Sequence, residues 1–287
     1  MSPLQQLFLG LIISGLIGYA GYRKRALSLT GWAGAILVGT TIFGAGGWIW
    51  GMLLITFFVL SSALSAYKKA VKQQLAEKFA KGACRDLAQT LANGGCGALL
   101  ALAARFHPQP ALLAAFVGAL ATVNADTWAT ELGVLSPRPP RLVTTGRVVE
   151  PGTSGGVSLL GTLATLAGGL SIGLAAALFL LLDKALGGPG YALLGADTVV
   201  QGTLVLLLVA TLGGLVGSLC DSLLGATLQT IYYSTRRAKE TEREIDPDGI
   251  PNEHLRGWKW LNNDWVNFLS SAVGAAISVL VWKALLA

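Results

Sequence analysis

The sequence predicts an all-α polytopic membrane protein, about eight transmembrane helices packed through Gly/Ser/Asn stripes, with a polar site near its cytoplasmic face. Three observations carry this. Hydrophobic residues make up 53% of the 287 and charged residues 13%, with a mean hydropathy of +0.61, beyond what a soluble domain with a polar surface reaches. The apolar residues fall into runs long enough to cross a bilayer core about 30 Å thick, which takes roughly 20 residues per helix. The 37 glycines suit close helix approach, because small residues let backbones meet where lipid offers no hydrophobic drive.

The candidate crossings are residues 3–21, 28–46, 48–66, 88–105, 110–131, 157–182, 199–231 and 265–286. The first has no basic segment ahead of it, carries Arg23-Lys24-Arg25 behind it and lacks an A-x-A cleavage pattern, so a retained helix is expected rather than a signal peptide. The seventh run is longer than a crossing needs, and Gly213, Gly214 and Gly217 offer places for a kink or tilt. Nothing in the chain marks a linker or a repeat array, so a single membrane domain is expected. Within it, residues 1–66 form three helices poor in motifs and residues 67–287 a motif-bearing core.

Alternating the loops places 18 of the 21 Lys and Arg on one side, in Arg23–Arg25, Lys68–Arg85, Arg138–Arg147 and Arg236–Lys259. Such a bias predicts that these loops face the cytoplasm, or a stromal equivalent, with both termini on the opposite side. The basic face suits topology and anionic membrane lipid, and with no nucleic-acid-binding motif beside it, nucleic acid is not an expected partner. Cys84, Cys96 and Cys220 form no C-x-x-C pair and read as packing residues. With only two histidines, His107 and His254, on opposite sides, neither a His-based metal site nor a Ser-His-Asp triad can be assembled.

Acids inside hydrophobic segments are functional hypotheses by default, each costing about 2.5–3.5 kcal/mol at a helix centre on insertion scales. Asp126 and Asp221 are the two here. Helical spacing extends them into polar stripes: Gly214, Ser218, Asp221 and Gly225 on the seventh helix; Asn267, Ser271, Gly274 and Ser278 on the eighth, with Asp264 a turn earlier; Arg85, Gln89 and Asn93 on the fourth, beside Asp86; and Asp126 with Thr130, Thr127 with Glu131, on the fifth. Ordinary small-residue packing accounts for the glycines and serines but not for the acids and asparagines. Two carboxylates, with water and substrate phosphate completing an oxygen shell, are what Mg²⁺ commonly takes. The segment TTGRVVEPGTSGG complements them: Gly152, Gly155 and Gly156 let backbone amides approach an anion, Thr153 and Ser154 add hydroxyls, and Arg138, Arg141 and Arg147 add charge. A sixth helix starting near Gly156 would point its positive end at the same place. No Gly-Lys-Ser/Thr follows, so this is not a Walker A loop.

The strings KGACRDLAQTLANGG, ADTWATELG, TTGRVVEPGTSGG, CDSLLGATLQ and NNDWVNFLSS occur in order from Lys81 onward. They resemble the DUF92 family of membrane proteins, which includes transmembrane protein 19 and the plant and cyanobacterial phytyl-phosphate kinases. More distantly, the chain is similar to phytol and dolichol kinases and phosphatidate cytidylyltransferases, with EPGTSGG standing where those carry an SPGKT-like loop and its lysine. The resemblance implies a Mg²⁺-dependent kinase that passes the terminal phosphoryl group of CTP, or another nucleoside triphosphate, to a prenyl monophosphate of phytyl or geranylgeranyl type.

On that reading Asp126 and Asp221 would hold Mg²⁺. Arg147 and Gly152, Thr153, Ser154 and Gly155 would cradle the triphosphate with Thr127 and Ser222, while Lys81 and Arg85 would take the acceptor phosphate. Asn93 and Asn267 would orient these groups, and Asp86, Gln89, Glu131 and Asp264 would support them from behind. The inventory fits, since a phosphate monoester is already anionic and needs positioning and charge neutralisation more than a base. A lipid alcohol kinase or a cytidylyltransferase would use the same loop and acids. A transporter or flippase would instead need polar groups near the midplane, reachable from both sides.

Overall fold

In the computed structural model, which describes residues 2–67, 84–246 and 248–286, eight helices are long and apolar enough to cross a membrane. They are α1 (Pro3–Arg23), α2 (Leu29–Gly46), α3 (Trp48–Ala66), α4 (Leu87–Phe106), α5 (Pro110–Gly133), α6 (Leu159–Ala185), α7 (Val199–Thr227) and α8 (Asn263–Leu286). All eight expected crossings are present. Five of them start behind side-chain caps, at Ser2, Ser28, Asp86, Ser158 and Thr198, each accepting from a backbone N–H of the first turn. At Asp86 the cap is reciprocal: Gln89 N donates to Asp86 Oδ1 at 2.9 Å and Asp86 N to Gln89 Oε1 at 3.2 Å.

Helix α5 is the axis of the bundle. Every residue from Leu113 to Ala125 is buried, and α3, α4, α6, α7 and α8 all pack against it. Its Ala-, Gly- and Thr-rich sequence is what allows that many neighbours. At one crossing a Cβ on Gly118, Gly213 or Gly274 would overlap atoms of α5, α7 or α8, so the three backbones meet directly. Thr122 ties the crossing, its Oγ1 donating to Gly118 O at 2.9 Å and Gly213 O at 3.1 Å. One turn on, the buried Asn124 donates to Gly168 O of α6 at 2.8 Å and Ser171 Oγ at 3.0 Å, and accepts from Ser61 Oγ of α3 at 3.4 Å. The crossing lies just beneath Asp126.

The seventh run departs from expectation at its end. Helix α7 stops at Thr227 instead of continuing to residue 231, because Leu228 and Gln229 both turn back to Leu224 O. Its 29 residues span about 43 Å at 1.5 Å per residue, so its last turns stand beyond an apolar core of about 30 Å. The following chain, expected only as a basic loop, builds a three-stranded antiparallel sheet. Two small sheets therefore interrupt an otherwise helical chain: β1 (Arg141–Leu142) with β2 (Gly156–Val157), and β3 (Ile231–Ser234), β4 (Lys239–Thr241) and β5 (Glu253–Arg256) in the order β4-β3-β5. Arg256 Nη1 donates to Gly225 O at 3.1 Å, placing a cation on the carbonyl end of α7.

Both sheets lie at one end of the bundle, together with the described basic residues of the α1–α2 connection and Arg85. Two exposed aromatic groups mark that end. Tyr22 stacks on Trp32 at 5.9 Å, and Trp258 on Trp260 at 5.7 Å with Trp265 beside them at 6.4 Å. Such groups sit where apolar core gives way to headgroups.

The larger sheet is tied by Asp246, a buried carboxylate that accepts from Ser234 Oγ at 2.7 Å and Asn252 Nδ2 at 3.3 Å and pairs with Arg237 at 3.6 Å. The Ser234 hydrogen bond foremost, then Asn252 and the Arg237 and Arg243 charges, hold it below the usual carboxylate range. Because the folded-state value is the depressed one, its contribution is complete above the unfolded value of about 4 and is lost as pH falls through the folded one. Amide exchange across residues 231–256 should thus be pH-independent in protection from pH 8 to 5 and lose protection below about pH 4. Asp246→Asn protein should lack this acid step.

Candidate functional site

At the sheet-bearing end the helices part around a cavity of about 600 Å³. Asp126, two residues after the clasp of Asn124, and Asp221, on the penultimate turns of α7, both line it. Ser218 Oγ donates to Asp126 Oδ1 at 3.5 Å, and Ser270 Oγ to Asp221 Oδ2 at 2.9 Å. The two carboxylates lie close enough for their charges to interact. Neither forms an ion pair with a described Lys or Arg. Two part-buried like charges with no described countercharge are an unfavourable arrangement that a divalent cation would relieve.

The anion loop folds against this pair. Gly152 and Gly155 take φ of +81° and +80°, the left-handed region that favours glycine. A Cβ at Gly155 would reach the backbone of Ala226 at 2.7 Å, so the loop rests directly on α7. Gly156–Val157 pairs with Arg141–Leu142, and α6 starts three residues after Gly156, at Leu159 behind the Ser158 cap. Gly152, Thr153, Ser154, Gly155, Thr127, Ser222, Asn93 and Asn267 all line the cavity, as do Gln89, Glu131 and Asp264.

Two expected residues are placed otherwise, and a third is not among those described. Arg147 lies in the exposed β1–β2 turn, outside the cavity lining. Asp86 is also outside the lining, committed to capping α4. Lys81 lies outside the described residues. Arg85 does line the cavity: its backbone bridges to Ala26 and Ser28, and Nη1 donates to Ser62 Oγ at 3.4 Å. Burial pulls its guanidinium below the ordinary range, while the charge of Glu131, itself accepting from Ser65 Oγ, raises it.

Several lining residues come from elements that periodicity could not place. Glu242 follows β4 and accepts from Ser154 Oγ at 2.8 Å and Gln229 Nε2 at 2.9 Å, which ties the anion loop to the sheet. Lys259, in the chain between β5 and α8, adds a cation to the wall. Ser270 reaches Asp221, although the stripe through Asn267 points to Ser271, whose hydroxyl instead donates to Phe268 O. The β-branched and aromatic run Thr230-Ile231-Tyr232-Tyr233 is the signal from which the sheet, and with it Glu242, could have been read.

The donor set suits Mg²⁺ bound together with phosphates. Its protein share would be the two carboxylates, with water and phosphate oxygens completing the shell that Mg²⁺ commonly takes. Thr230 lines the same cavity, is 3% exposed, and has a hydroxyl with no partner among the described residues. A buried hydroxyl of this kind is available to water or a polar ligand.

Over residues 12–275 the chain matches the family model described as integral membrane protein DUF92. It is similar to Protein PGR of Arabidopsis thaliana, 35% identical over 94% of this chain and 93% of that protein. An uncharacterized membrane protein of Methanocaldococcus jannaschii is 32% identical, covering 98% of this chain and 97% of its own. Protein VTE6, chloroplastic, of Arabidopsis thaliana is 28% identical over 91% of this chain and 66% of its own length. No solved structure matches. The motifs and these matches agree: the chain belongs to the DUF92 family of integral membrane proteins.

Proposed function

We propose that the protein is a prenyl-monophosphate kinase that transfers the terminal phosphoryl group of CTP, or another nucleoside triphosphate, to a phytyl- or geranylgeranyl-type lipid phosphate. The observation that carries this is the pair Asp126 and Asp221, uncompensated by any described cation, facing a Gly/Thr/Ser loop in one cavity. The motif resemblance to phytyl-phosphate kinases supports the lipid class.

In the reaction an acceptor phosphate oxygen forms a bond to the donor's γ-phosphorus. The bond from that phosphorus to the β–γ bridging oxygen breaks, and the nucleoside diphosphate leaves with the electron pair. Asp126 and Asp221 would hold Mg²⁺, which when bound supplies charge neutralisation to the phosphates. The Gly152–Gly155 turn would cradle the donor's phosphates through backbone amides, held in place by the Ser154–Glu242 hydrogen bond. Arg85 and Lys259 would take phosphate oxygens of acceptor and donor. With the basic loops at this end, the site would open to the cytoplasm or its stromal equivalent, where nucleotide is available. The direct α5–α7–α8 crossing below the acids argues against a carrier, which needs a polar path onward.

The test is to supply purified protein with Mg²⁺, CTP labelled in its γ-phosphate and geranylgeranyl monophosphate. Labelled geranylgeranyl diphosphate is the expected product. A labelled product from geranylgeraniol alone would assign an alcohol kinase. A CDP-lipid with release of diphosphate would assign a cytidylyltransferase.

A further inference from the structure

Helices α1, α2, α3 and the start of α4 enclose a second, narrow cavity of about 80 Å³. Its wall is almost wholly apolar, with Ile13, Ile17, Val38, Leu54, Phe57 and Phe58 contributing most of it. Such a cavity in a membrane protein could be a mere packing defect, but this one is placed with respect to the site. Arg85 and Asn93 line both it and the polar cavity. One guanidinium and one carboxamide thus border both spaces, with hydrophobic walls on one side and the acids and anion loop on the other.

An anionic head beside Arg85 with an apolar chain running away from the acids is the shape this junction accommodates. The narrowness favours a slender chain over a ring system. Helix α1 is held chiefly by α2 and makes few contacts with α3, so the α1–α3 wall is the least closely packed side, and the one through which the rest of a long chain can reach the bilayer. The lipid-facing side of α1 is itself apolar, with Leu4 and Leu16 exposed.

We propose that the cavity between α1, α2 and α3 is the binding site for the head-proximal part of an isoprenoid chain whose phosphate lies at Arg85. This rests on the lipid-phosphate reading above and gives the three motif-poor helices their role: they select the acceptor by its tail. The mechanism is burial of apolar chain against apolar wall, so selectivity between chains follows the surface each can bury.

Photo-crosslinking tests the cavity independently of turnover. Wild-type protein in nanodiscs is irradiated with a geranylgeranyl monophosphate carrying a diazirine on the first isoprene units, and the labelled peptides are mapped. Label on residues 13–18 or 54–58, displaced by unlabelled geranylgeranyl monophosphate and not by inorganic phosphate, supports the site. Label spread over bilayer-facing residues such as Leu4 and Leu16, without competition, overturns it. As a second measurement, Ala35→Phe and Leu54→Trp should raise KM for geranylgeranyl monophosphate by about tenfold or more while leaving KM for the nucleotide unchanged. An unchanged lipid KM in both variants overturns the proposal. Competed labelling in a protein that transfers no phosphoryl group would uphold the tail site while removing the kinase reading.

Discussion

Replacing Asp221 by asparagine is expected to lower kcat/KM for phosphoryl transfer by about 10²–10³-fold, the usual consequence of removing one preorganised electrostatic element from a phosphate or oxyanion site. Asp126→Asn should do the same. Yet neither variant should be less stable in the absence of Mg²⁺, and both are expected to melt slightly higher. Each removes one of two part-buried carboxylates whose charges interact without a described Lys or Arg between them, so the substitution relieves repulsion while keeping the side-chain shape. The hydrogen bonds from Ser218 and Ser270 can be kept by the asparagine carbonyl oxygen. Mg²⁺ separates the two states further. Wild-type protein should gain thermal stability as Mg²⁺ is added, since a ligand that binds only the folded form stabilises it, and the variants should not. A variant that keeps both its activity and its Mg²⁺-dependent shift would remove the carboxylate pair from the site.

The Gly155→Ala variant is expected to have the next largest effect. Its φ of +80° lies where an L-residue is strained by about 1–2 kcal/mol, and the added methyl would press on the Ala226 backbone. The turn must therefore move away from α7, carrying Ser154 off Glu242. One to two kcal/mol corresponds to about a 5–30-fold change in an equilibrium, which should appear as a raised KM for the nucleotide. The helical bundle should melt normally, because its core crossing around Thr122 is remote from the turn. Limited proteolysis would locate the change: cleavage within residues 150–157 should rise while the spans stay protected. An unchanged nucleotide KM would mean that the turn does not contact the donor.

Much of this protein is legible from its chain. A segment that must satisfy its backbone within lipid has few choices beyond a helix, so composition and run length suffice to place all eight crossings to within a few residues. Cost makes Asp126 and Asp221 conspicuous in the same way, since an acid in an apolar run is rarely neutral in consequence. The limits of periodicity lie where the chain leaves the membrane. Periodicity aligned Asn267 with Ser271, but the azimuth of α8 is set by its contact with α5 and α7, and that rotation presents Ser270 to Asp221 instead. Charge alone singled out Arg147, which the β1–β2 turn carries outside the cavity lining, while Lys259 reaches the wall.

By itself, then, the sequence determined a helical membrane bundle with two intramembrane acids and a glycine-rich anion loop at its basic end, because hydropathy and the cost of buried charge act residue by residue. Tertiary structure alone decided which side chains meet. Bringing α7 and α8 against α5 through glycines that leave no room for a Cβ put the two acids within reach of each other. Folding residues 231–256 into a sheet brought Glu242 beneath Ser154, and the packing of α1–α3 joined an apolar cavity to Arg85. Each of these contacts joins residues tens to more than a hundred positions apart, and depends on helix rotation and backbone approach, which no local pattern encodes.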